Sequence, residues 1–163
     1  MLNEIMLHIN HFEQKRIQKI NERETRFGVP DTCFPQSMKM DEVTIRDAFD
    51  CYYLPLWARS LADYLPEDFR FLYFDCCILT SVSNAVRILR ETIGVDIGKP
   101  AIDIHLCEEL RRMHELKPRE LRRSYAGRLH EYYAALAPRI GLRHQLNTRL
   151  VACCDIAAGD NII

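Results

Sequence analysis

Apolar side chains at Leu2, Ile5, Met6, Ile9, Phe12, Ile17 and Ile20 recur at helical spacing, which predicts one amphipathic helix over residues 2–26. Gly28 and Pro30 end it, and the two-proline stretch "VPDTCFPQSMK" (29–39) reads as a loop. Asp41 is placed to cap a second helix with Val43, Ile45, Phe49 and Tyr52 on its stripe. Pro55 kinks or restarts that helix, because it has no N–H for the ladder. Pro66 suits the first turn of the next segment, which is apolar on nearly every side through Phe69, Leu72, Phe74, Leu79, Val82, Val86 and Leu89. A helix of that kind is surrounded by others, so a central apolar helix is expected over about 67–93, with Leu79 and Val86 fully buried. Gly94 and Gly98 break the chain, and Pro100 opens a helix over 100–116. "LKP" turns into a helix from Pro118 to about Ala137, and Pro138 and Gly141 precede a last helix over 142–157. No segment alternates with strand period for more than a few residues. The expectation is an all-α, single-domain bundle (1–163) of five to six helices.

Composition agrees with a folded core. The 163 residues are 48% apolar and 28% charged, a balance that indicates neither disorder nor a membrane span. The start, "MLNEIMLHINHFEQKR", has no basic leader followed by an apolar block, so no secretory signal is expected. Seven cysteines form an odd set with two vicinal pairs and no C-x-x-C. They read as reduced thiols, in the cytoplasm or another reducing compartment. No cofactor is implied.

Charge changes the picture more. The net charge is −1, but residues 110–149 hold ten basic and three acidic side chains while residues 51–109 hold five and nine. Such asymmetry points to an acidic partner. On the fifth helix Leu121, Tyr125, Leu129, Tyr132 and Leu136 share an apolar arc, and Arg119, Arg122, Arg123 and His130 gather opposite it. Together with Arg111, Arg112 and Arg128 they form a candidate basic face for an acidic protein or nucleic acid. The turn before this helix also permits a helix-turn-helix reading, although that turn usually holds glycine and this one holds Pro118.

The same letters carry a second chemistry. Arg123, six residues, His130, one residue and Tyr132 form a pattern that resembles the R-x(4–6)-H-x-Y signature of HEPN ribonucleases, which are small helical proteins, often dimeric. Ser124 stands where that family commonly has asparagine. The resemblance implies that His130 serves acid–base chemistry or orients the ribose hydroxyl, that Arg123 stabilises the phosphorane, and that a homodimer pairs two such faces.

Two further candidates remain. Glu4, His8 and His11 on the first helix, with His105 and Glu109 on the fourth, supply ligand types for a metal site inside a bundle. The aromatic-dense zone 52–74 is either core or an assembly surface. A glycine-rich phosphate loop, G-x-S-x-G and H-E-x-x-H are all absent from the sequence. The reading that best fits is a non-enzymatic binding or regulatory module with a basic face over residues 110–149. A ribonuclease using Arg123, His130 and Tyr132 is the first alternative, and an assembly subunit docking through residues 52–74 is the second.

Overall fold

The computed structural model describes residues 5–6, 9, 13, 17–20, 23–96, 98, 101–140 and 149–154. Within the chain expected to form one domain, contacts gather into two compact units, Met1–Arg59 and Ser60–Ile163.

In the first unit Ile5 and Ile9 are helical and buried, as the amphipathic stripe requires. The helix expected to run on to residue 26 does not. Three short strands, β1 (Gln18–Ile20), β2 (Arg23–Arg26) and β3 (Val29–Pro30), pair antiparallel in that order. Phe27 and Gly28 both take positive φ, 52° and 73°, between the paired residues Arg26 and Val29. Two left-handed residues close a tight hairpin whose twist matches its strands. For Phe27 that geometry costs about 1–2 kcal/mol. Its ring is buried, and Tyr53 Oη donates to Phe27 O at 2.7 Å, which holds the turn in place. Arg26 Nη1 then donates to the carbonyls of Met40 (2.9 Å) and Asp41, clasping the loop onto β2.

The next helix, α1 (Ile45–Ala48), is capped by Thr44 rather than Asp41. Thr44 Oγ1 accepts from Asp47 N while the Asp47 carboxylate accepts from Thr44 N, a reciprocal capping box. The Thr44 hydroxyl also donates to that carboxylate at 2.6 Å, and this bond, with the one from Thr44 N, holds the Asp47 carboxyl below its usual range. A π-helical turn over Phe49–Tyr53 leads into α2 (Leu54–Ser60), and Leu54 N–H reaches back five residues to Phe49 O. The widened turn makes room for the Pro55 ring, which would crowd a normal helix.

The second unit is the helical bundle the sequence predicts, built from α3 (Glu67–Leu79), α4 (Val82–Ile93), α5 (Ile104–Leu116) and α6 (Pro118–Ile140), with a further helical stretch at 149–154. Every residue from Phe71 to Cys77 is buried, so α3 is enclosed on all sides, with α4 and α6 packed on it. The central segment 67–93 is nevertheless two helices. Thr80 leaves the helix and its Oγ1 donates to Cys76 O at 2.8 Å, while Ser81 Oγ caps α4 through Asn84 N at 3.1 Å. Hydroxyl side chains here offer the backbone an alternative to the helical ladder. Leu79 therefore sits half-buried at a helix end, not fully buried as expected, whereas Val86 is buried.

Gly94, at φ 73°, ends α4 as a left-handed cap. α5 starts at Ile104 and not at Pro100, because Asp103 Oδ1 accepts from Leu106 N at 2.9 Å. Arg90, 1% exposed, reaches Asp103 Oδ2 at 3.0 Å and the carbonyls of Asp96 and Ala101, so one guanidinium holds the connection from α4 to α5. α6 begins at Pro118 as predicted and runs past its expected end to Ile140. A second buried ion pair joins Arg149 Nε to Asp75 Oδ1 at 2.8 Å. Of the last helix expected over 142–157, only 149–154 lies within the described residues.

All seven cysteines are free thiols. Burial pushes Cys76 up to about 11 and raises Cys77 and Cys153 as well, so these three stay protonated and unreactive near neutral pH. Among the described residues no helix is long and apolar enough to cross a membrane.

Candidate functional site

The expected basic face divides into free and committed cations. Arg112 is bound to Glu109, with Nη2 to Oε2 at 2.7 Å, and Arg128 stands 3.8 Å from Glu131. Arg122 is drawn inward, where it contacts Asp68 with its side chain 23% exposed. Arg111, Arg119 and Arg123 are exposed and form no ion pair among the described residues. At about 100° per residue Arg119, Arg123 and His130 fall within one narrow arc of α6, whereas Arg122 falls about 60° to its core side. His130 is exposed. The structure thus keeps part of the predicted stripe and removes Arg122 from it.

Arg122 belongs to a three-helix junction that sequence reading did not anticipate. Asp68 lies in the first turn of α3, His114 in the last turn of α5 and Arg122 in the second turn of α6. Asp68 Oδ1 meets His114 Nε2 at 2.7 Å, and Oδ2 meets Arg122 Nη1. One carboxylate therefore serves two partners, at a helix N-terminus where negative charge is favoured. All three side chains are between a fifth and a third exposed.

The other candidates fare differently. Arg123 and His130 share an arc, but Tyr132 lies about 200° round the helix from His130. It is half-buried beneath the Arg87 guanidinium, 5.7 Å from the ring centroid, and Tyr133 takes the fully buried position expected of Tyr132. A single chain does not bring the three residues of the ribonuclease pattern to one point. Glu4, His8 and His11 lie outside the described residues. His105 is exposed, Glu109 is bound to Arg112, and no trio of metal-ligating side chains occurs among the described residues. In the aromatic zone Tyr53, Trp57, Phe69, Phe71, Tyr73 and Phe74 are buried. Their burial makes them core, while Tyr52 is half-buried and Tyr64 is largely exposed.

In the first unit, Glu13 is a residue the sequence gave no reason to single out. Its half-buried carboxylate lies against Gly28, where a Cβ would collide with it and would approach Tyr53 Oη to 2.9 Å. Glycine is required there twice, by clearance and by φ. Beside the loop runs an open groove of about 740 Å³, floored by Phe34, Met38 and Met40 and edged by Glu24, Asp31 and Asp41.

Comparison with known proteins yields fold and nothing finer. No protein-family model and no curated protein sequence matches the chain. Among solved structures, the chain is similar to Brucella abortus SagA, with a TM-score of 0.79 over 99% of this chain and 95% of that one. The two share the fold. At 16% identity the likeness extends to backbone architecture alone.

Proposed function

We propose that the chain is a binding module whose basic strip, Arg111 on α5 with Arg119 and Arg123 on α6, docks an acidic protein surface. The observation that carries this reading is the set of exposed cations with no ion-pair partner among the described residues, Arg111, Arg119 and Arg123. Six arginines would suit a nucleic-acid backbone, for which proteins commonly neutralise roughly 6–10 phosphates. The three free ones among the described residues favour a smaller acidic patch. A single-stranded oligonucleotide can serve as a polyanion probe that counts the working cations. Weak binding that disappears by moderate salt is expected, with Arg119→Ala and Arg123→Ala weakening it and His130→Ala nearly silent. Binding that persists at physiological salt would make the chain a nucleic-acid module instead. Lack of binding even at low salt would leave the strip as a solvated helix face.

A second reading is hydrolytic acid–base chemistry, supported by the Glu13 carboxylate lying against the left-handed Gly28, a glycine the Tyr53 hydroxyl also approaches. Left-handed non-glycine residues such as Phe27, next in the chain, concentrate at working sites. Chromogenic ester, phosphodiester and glycoside substrates are expected to show no turnover. Turnover that Glu13→Gln abolishes without unfolding the protein would put this reading first.

A further inference from the structure

We propose that Asp68 is an autoinhibitory contact that holds a fourth cation, Arg122, out of the strip formed by Arg111, Arg119 and Arg123. The inference rests on the strip being the docking surface. Arg122 stands three residues from Arg119 and one from Arg123, about 60° round the helix from the former. Its side chain is long enough to swing onto the strip, yet it points the other way because the Asp68 carboxylate binds it. Among the described residues no other arginine of the expected basic face is held by a carboxylate on a different helix. Arg112 and Arg128 pair with glutamates three residues away on their own helices.

The junction is built so that Arg122 can leave without stranding its partner. Asp68 Oδ1 keeps the His114 bond at 2.7 Å, and the carboxylate remains in the first turn of the thirteen-residue helix α3. That helix end favours the negative charge. Neutralising Asp68 removes what retains Arg122 and raises the strip from three free cations to four. The number of cations the strip presents is thereby set by a residue on another helix, outside the strip itself.

Asp68→Asn tests this directly. It keeps the shape and a hydrogen-bonding amide while removing the charge. Against a single-stranded oligonucleotide one added contact steepens the slope of log K on log salt by about 0.7, which is about a fivefold gain in affinity at 0.1 M salt. Asp68→Asn combined with Arg122→Ala should return to wild-type affinity, and Arg122→Ala alone should match wild type. Circular dichroism shows whether each variant retains the helical fold. If Asp68→Asn stays folded and binds no more tightly, the lock does not exist, although the docking reading survives. A gain that persists in the double variant would also overturn it, since the extra contact would not be Arg122. Absence of binding by the wild type would instead remove the docking reading and this inference with it.

Discussion

Asp75→Ala is expected to destabilise the protein by about 3–5 kcal/mol, because it breaks a largely buried ion pair. Asp75 is 1% exposed and Arg149, its partner at 2.8 Å, is 13% exposed. Burying such a pair stabilises little by itself, since desolvation offsets most of the attraction. Removing Asp75 takes away the carboxylate that Arg149 Nε contacts at 2.8 Å in a low-dielectric site. Asp75→Asn keeps an acceptor for Arg149 and should cost less. Denaturant titration gives the comparison, with a lower midpoint and an unchanged slope. A loss below about 1 kcal/mol, the range of exposed ion pairs, would mean that Arg149 is solvated and the 149–154 segment loosely held.

Phe69→Ala should cost a similar amount, about 3–5 kcal/mol, whereas Leu79→Ala should cost no more than about 1–2 kcal/mol. Phe69 is fully buried near the start of α3, with its ring 4.8 Å from that of Tyr125 on α6. Leu79 ends the same helix half-exposed, where a truncated side chain leaves space that water can fill. The pair separates the two-helix arrangement from a continuous central helix, in which both residues would be enclosed. Equal losses in parallel denaturant titrations would favour the continuous helix.

The elements with strong punctuation were legible in the sequence. Gly94 stops α4 and Pro118 starts α6 where their chemistry says they should. The enclosed α3 was legible from its unbroken apolar letters, but those letters hid the break at Thr80–Ser81. Both flanking helices are buried, so hydrophobicity carries straight through, and the only signal was the serine that caps α4. The sheet was hidden for the opposite reason. β2 reads "RETR", with Thr25 its one buried residue, so period-two alternation has almost nothing to act on. In the second unit the helical wheel sufficed for Arg119, Arg123 and His130 and failed for Arg122. That residue borders the apolar arc, and whether it turns outward depends on Asp68, fifty-four positions earlier. The Arg149–Asp75 contact was illegible for the same reason, since the two residues lie seventy-four positions apart. The Glu13–Gly28–Tyr53 arrangement likewise arises from the hairpin, which no local pattern announced.

The central claim is that three free cations, with Arg122 not among them, make the working face. The salt dependence of oligonucleotide binding between 50 and 200 mM, on the order of conditions where counterion release is resolved, measures that number. Wild type should give a log–log slope of about −2, and Arg119→Ala and Arg123→Ala should each reduce it by about 0.7. Arg122→Ala should leave it unchanged. A wild-type slope of about −4 or steeper, or a reduction by Arg122→Ala equal to that of its neighbours, would contradict the account.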